Sequence, residues 1–179
     1  MKLDPSRSRV AVYTFAEGLL SALAHDLEIV AMDVSGEADG DKAELRIAVG
    51  SLRVIGAMKR GRLDRDVLSA SDRDAIEKQI RSEVLPGVEV VARGERAGGS
   101  ASVELTVPRG KPARVSCKVH VSDEPGATAD AQDAQSTRVR IKGTADVSLK
   151  AIGAPPVKGP MGAFRVSDKV RVDFDLVFS

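Results

Sequence analysis

Along most of the chain, apolar residues recur at every second position, the period of a half-buried β-strand. Ala113, Val115, Cys117, Val119 and Val121 share one parity, while Arg114, Ser116, Lys118 and His120 take the other. The same alternation carries Val139, Ile141, Gly143, Ala145, Val147 and Leu149, and again Val170, Val172, Phe174, Leu176 and Phe178. Each run predicts a strand with one dry face and one wet face. Residues 10–14 predict an opening strand, Leu45, Ile47 and Val49 mark one face of another, and residues 88–92 and 101–107 supply two more. Residues 27–34 are apolar on both parities, which predicts burial on both sides or a local twist. Turns separate these runs: Asp39-Gly40-Asp41-Lys42, Gly98-Gly99 and the stretch from Pro108 to Pro112. Gly143 in mid-strand permits the bend a curling sheet needs.

Two stretches carry a helical period instead. In residues 71–85, Ile76, Ile80 and Val84 recur every four positions, with Ser71 as the expected cap, Asp72 and Asp74 in the first turn, and Pro86-Gly87 as the stop. Residues 16–24 bring Leu19, Leu20 and Leu23 together on a second, shorter helix. Residues 51–67 fit either a strand through Leu52 and Val54 or a loop from Gly56 to Gly61. Residues 152–161 read as a proline-glycine crossover, and residues 123–135, rich in alanine, aspartate and glutamine, as a solvated hairpin extension. The expectation is an all-β single domain over residues 1–179, an antiparallel sheet of about eight strands with one or two short helices packed against it. Closure into a barrel would remove the exposed edges and leave room for a small ligand. A filled β-sandwich has the same pattern.

Composition narrows the function. The formal charge is +1, from 27 Lys and Arg against 26 Asp and Glu, and the aromatics are one Tyr and four Phe with no Trp. A nucleic-acid surface would need a concentrated basic footprint or stacking rings, and neither is written here. No apolar run approaches the twenty or so residues of a membrane span, and no leader is visible, so a cytoplasmic address is expected. Cys117 is the single cysteine, which rules out an internal disulfide and a thiolate cluster.

Candidate chemistry is sparse. Ser21, His25 and Asp26 would suggest a hydrolase if a helix brought the serine to the imidazole, but there is no nucleophile elbow and the acid is adjacent to the histidine. His25 is read as structural or as a polar group at a pocket mouth. Asp64, Asp66, Asp72 and Asp74 read as solvated or capping charge, and His25 and His120 lie in unrelated segments, so neither a catalytic nor a metal site is expected. Lys59, Arg60, Arg62 and Arg65 form the densest basic neighbourhood, broken by Asp64 and Asp66. Cys117 has the parity of a small core residue.

The succession from Gly18 to Leu27, the helix opening Ser71-Asp-Arg-Asp-Ala-Ile76, the turn Arg109-Gly-Lys-Pro112 and the closing segments Gly153–Gly162 and Val166–Phe174 resemble the YceI-like family of lipid- and polyisoprenoid-binding proteins. The resemblance implies an extended, lipocalin-like antiparallel β-barrel around an elongated apolar cavity that holds an isoprenoid lipid or quinone. It departs at Arg109-Gly110, where the family's usual wording is histidine-glycine, and at residues 123–135. On this reading the protein is a non-enzymatic carrier or sequestering protein that requires no cofactor. The residues expected to line the cavity are Tyr13, Phe15, Leu45, Ile47, Val115, Val139, Ile141, Val172 and Phe174, with His25, Lys59, Arg60 and Arg62 at a polar mouth. The alternative is a filled barrel serving as a structural or protein-interaction module, and a homodimer would cover an apolar mouth or edge.

Overall fold

A computed structural model of the chain describes residues 1–17, 25–124, 138–158 and 165–179. Residues 18–24 of the second expected helix and residues 125–135 of the polar extension lie outside the described residues, while Ala16–Glu17 and residues 123–124 are strand. The strands are β1 (Arg9–Thr14), β2 (Ala16–Glu17), β3 (Asp26–Ala31), β4 (Val34–Asp39), β5 (Lys42–Ala48), β6 (Leu52–Lys59), β7 (Arg62–Asp64), β8 (Glu89–Ala97), β9 (Ser100–Thr106), β10 (Ala113–Glu124), β11 (Arg138–Ser148), β12 (Arg165–Val166) and β13 (Lys169–Phe178). Eleven of them form one sheet in the order β4-β5-β8-β9-β10-β11-β13-β1-β3-β6-β7, and β2 pairs with β12 in a small second sheet. Every pairing is antiparallel.

The expected closed barrel of about eight strands does not form. The sheet is an open, curled half-barrel whose edges, β4 and β7, lie 22 Å apart, so the lipocalin-like description fails with it. The divergence starts in one bent hairpin. Strands β3 and β4 run on from each other, as do β5 and β6, but the ribbon turns a corner at Met32-Asp33 and at the 3-10 turn Val49–Ser51. Ser51 fixes that corner: its hydroxyl accepts from the Asp33 amide at 3.0 Å and donates to the Ala48 carbonyl at 2.8 Å. One half of the hairpin then joins β8 through β5 and the other joins β1 through β3, which carries the two free strands apart. Residues 27–34, apolar on both parities, are thus the corner and not one strand. The chain's first residues tie the edge strand β4 to β13, with Lys2 paired to Glu37 and Leu3 to Phe178.

Helix α1 (Ala70–Gln79) continues through a π-helical turn (Ile80–Val84), 15 residues in all, and packs against the sheet. Its cap is Ser69, two residues before the expected one: the Ser69 hydroxyl accepts from the Asp72 amide at 3.1 Å while the Asp72 carboxylate accepts from the Ser69 amide at 3.0 Å. Ile76, Ile80 and Leu85 pack with Val10, Ile29 and Val54 of the sheet's inner face. Glu77 of this helix is buried. An irregularity in the β3–β6 register places Val54 opposite Ile29 and Gly56 opposite Glu28, and the Val54 amide donates to Glu77 Oε1 at 2.9 Å. A helix carboxylate therefore satisfies a backbone donor inside the sheet.

The buried core forms two clusters, the larger around Val10, Ile29, Val54, Leu176 and Phe178. Val107, Ala113, Val147, Ile152 and Val170 form the second at the end of the curl where β13 begins, with Leu85 and Val90 against it. The outer face is charged: Glu37, Glu44, Arg93, Glu104 and Arg114 stand in register across β4, β5, β8, β9 and β10, and Arg93 Nε meets Glu44 at 2.7 Å.

Candidate functional site: an apolar cavity in the curl of the sheet

Above that packed end the inner face encloses a cavity of about 160 Å³. Leu45 and Ile47 of β5, Val103 and Leu105 of β9, and Val115 of β10 line one side, and Ile141, Val172 and Phe174 the other. Each of these side chains is only partly buried, although each points to the interior. The space exists because neighbouring inward positions hold small residues: Ala38, Ala43, Ala92, Gly94, Ala101 and Ala145. A Cβ added at Gly94 would meet nothing closer than Val103 at 3.6 Å, so a larger side chain has room. Gly143 is different, since its Cβ would lie 2.4 Å from the Phe174 ring that packs across it. Phe174 holds its place because that position is glycine.

The rim is formed by the β4–β5 turn and the end of β8. Gly40, Asp41, Lys42 and Arg96 line it. Arg96 shares the inward parity of Ala92 and Gly94, and its guanidinium meets Asp41 Oδ1 at 2.5 Å while its amide donates to the Asp41 carbonyl at 2.8 Å. Lys42 has the outward parity of Glu44 and Arg46 and stands in register with Asp39 and Glu95. Cys117 also lines the cavity, and burial pushes its thiol above the ordinary range. That keeps it protonated and a poor nucleophile at neutral pH.

Of the residues expected to line the cavity, Leu45, Ile47, Val115, Ile141, Val172 and Phe174 do so. Tyr13 lies on the outer face, its hydroxyl 3.3 Å from Glu28 and the Arg171 guanidinium 4.9 Å from its ring centre. Phe15 is exposed beyond the end of β1, and Val139, in register with Phe178, is not in the lining. The expected mouth residues are elsewhere: Lys59, Arg60 and Arg62 line a separate open depression with Arg65, Asp64 and Asp66, at the turn between β6 and β7, and His25 is exposed just before β3.

Ser21 lies outside the described residues, and Asp26 accepts from the Ala16 amide at 2.9 Å, tying β2 to β3. Asp64 accepts from the Asp66 amide, and Asp74 and His120 are exposed. Among the described residues no group of three or more His, Cys, Asp or Glu side chains converges on a metal position. No described helix is long and apolar enough to cross a membrane. No protein-family profile and no curated protein matches the chain. The resemblance to YceI-like proteins therefore rests on the wording of its segments alone.

Proposed function

We propose that the protein binds and shelters a slender apolar molecule, a single hydrocarbon or isoprenoid chain, without converting it. The observation that carries this reading is the void itself: an apolar lining left only partly buried where the rest of the inner face is packed. An apolar cavity of about 160 Å³ is of the size that takes small apolar guests. It suits one slender guest and not a bulky polycycle or a bundle of chains. Each methylene moved from water into it contributes about 0.8 kcal/mol before ordering costs, so chain length dominates affinity. The one thiol in the described lining, Cys117, is kept protonated by its burial, which favours carriage over thiolate chemistry.

Uptake of diphenylhexatriene, a rod-shaped apolar fluorophore, tests the reading. Fluorescence is expected to rise on mixing with the wild type. It should fall at least about ten-fold in apparent affinity in the double variant Ala92→Leu, Ala145→Leu, whose added side chains occupy the void. Equal uptake by both proteins would place the dye elsewhere and sink the proposal.

A further inference from the structure

The rim carries one charged pair whose parity is unlike that of its neighbours, and it bears on what the far end of a bound chain looks like. Strand β8 alternates Arg93 and Glu95 outward with Ala92, Gly94 and Arg96 inward, so Arg96 is a cation on the dry parity. Its charge is already balanced by Asp41 at 2.5 Å, and the pair is pinned by the backbone bond between the same two residues. One guanidinium nitrogen is committed to Asp41, and a guanidinium has five N–H donors. Donors therefore remain at the place where a chain leaves the cavity. The cavity is too small for a bulky head, so the polar end of any guest must sit at this rim.

Resting on the cavity reading above, we propose that the Arg96–Asp41 pair selects an uncharged, hydrogen-bond-accepting head group, such as a hydroxyl, ester or ketone, and discriminates against a carboxylate or phosphate. A neutral oxygen accepts from Arg96 and leaves the ion pair intact. An anionic head must share Arg96 with Asp41 and meets a like charge within a few ångströms, which disfavours the charged form. The rim's other cation, Lys42, has the outward parity and stands in register between two acids of that outer face, Asp39 and Glu95. The selectivity is thus carried by the one inward arginine and the aspartate that already balances it.

The test is displacement of bound diphenylhexatriene at pH 8 by 1-dodecanol and by dodecanoate, in the wild type, Asp41→Asn and Arg96→Gln. Dodecanol is expected to displace the dye at a concentration about ten-fold below that of dodecanoate, a difference of ~1.4 kcal/mol. Asp41→Asn keeps an acceptor for Arg96 and removes the charge, so it should reduce that ratio several-fold. Arg96→Gln should weaken dodecanol several-fold more than it weakens the dye, with both affinities measured on the same variant. A ratio unmoved by Asp41→Asn, or dodecanoate matching dodecanol in the wild type, overturns the head-group proposal and leaves the cavity reading standing. Dye taken up equally by the wild type and the Leu double variant removes both.

Discussion

Asp175, on the outer face of β13, accepts from Arg140 Nε at 2.6 Å and meets Lys142 Nζ at 3.3 Å. The hydrogen bond from Arg140 is the main reason that its carboxyl is held below the usual range. Because the folded-state value is depressed, the stabilisation is fully present above the unfolded value of about 4 and is lost as pH falls through the lower folded value. Asp175→Asn should therefore flatten the fall in urea midpoint below about pH 4. An unchanged acid limb would show that the pair contributes nothing to acid stability. At this scale the sequence was readable wherever a side chain obeys simple parity, as Leu45, Val115 and Phe174 do. Tyr13 misled because its hydroxyl needs a polar partner and finds Glu28 outside, while Val10 and Val12 take the inner face. Arg96 was legible in principle, two positions on from Gly94 in a clean alternation, but a charged residue is seldom sought on a dry face.

Local signals located the helix better than they located its cap. Ser69 and Asp72 make reciprocal bonds, whereas Ser71 is exposed on the helix. Ser69→Ala should cost ~1 kcal/mol in chemical denaturation and Ser71→Ala close to nothing. Equal costs would put the cap in the wrong place. The hairpins at Asp39–Lys42 and Gly98-Gly99, and the three long strands β10, β11 and β13, follow directly from turn chemistry and period-two alternation. The bent hairpin does not. Its corner depends on Ser51 joining Asp33, a residue 18 positions away, and its two halves pair with different neighbours. Nothing in the alternation of residues 51–67 states that β6 carries an irregularity or that Glu77 on a later helix satisfies Val54.

Whether the sheet closes is decided by the whole chain, and here alternation is silent. Period and parity say that a strand has an inside, but not how the first and last strands lie, and the edges end 22 Å apart. Hollow and filled interiors also share one pattern, since Leu, Val and Ile have the same parity in both. What separates them is the volume at inward positions: Ala92, Gly94, Ala101 and Ala145 leave space at one end, while Val107, Val147, Ile152 and Val170 fill the other. The central claim is that this space holds a chain. It is tested most directly by native mass spectrometry of the freshly purified protein and of the Ala92→Leu, Ala145→Leu variant, followed by organic extraction. The account predicts a stoichiometric, slender apolar species on the wild type and none on the filled variant. An unliganded mass for the wild type that stays unchanged after exposure to a lipid extract would contradict it.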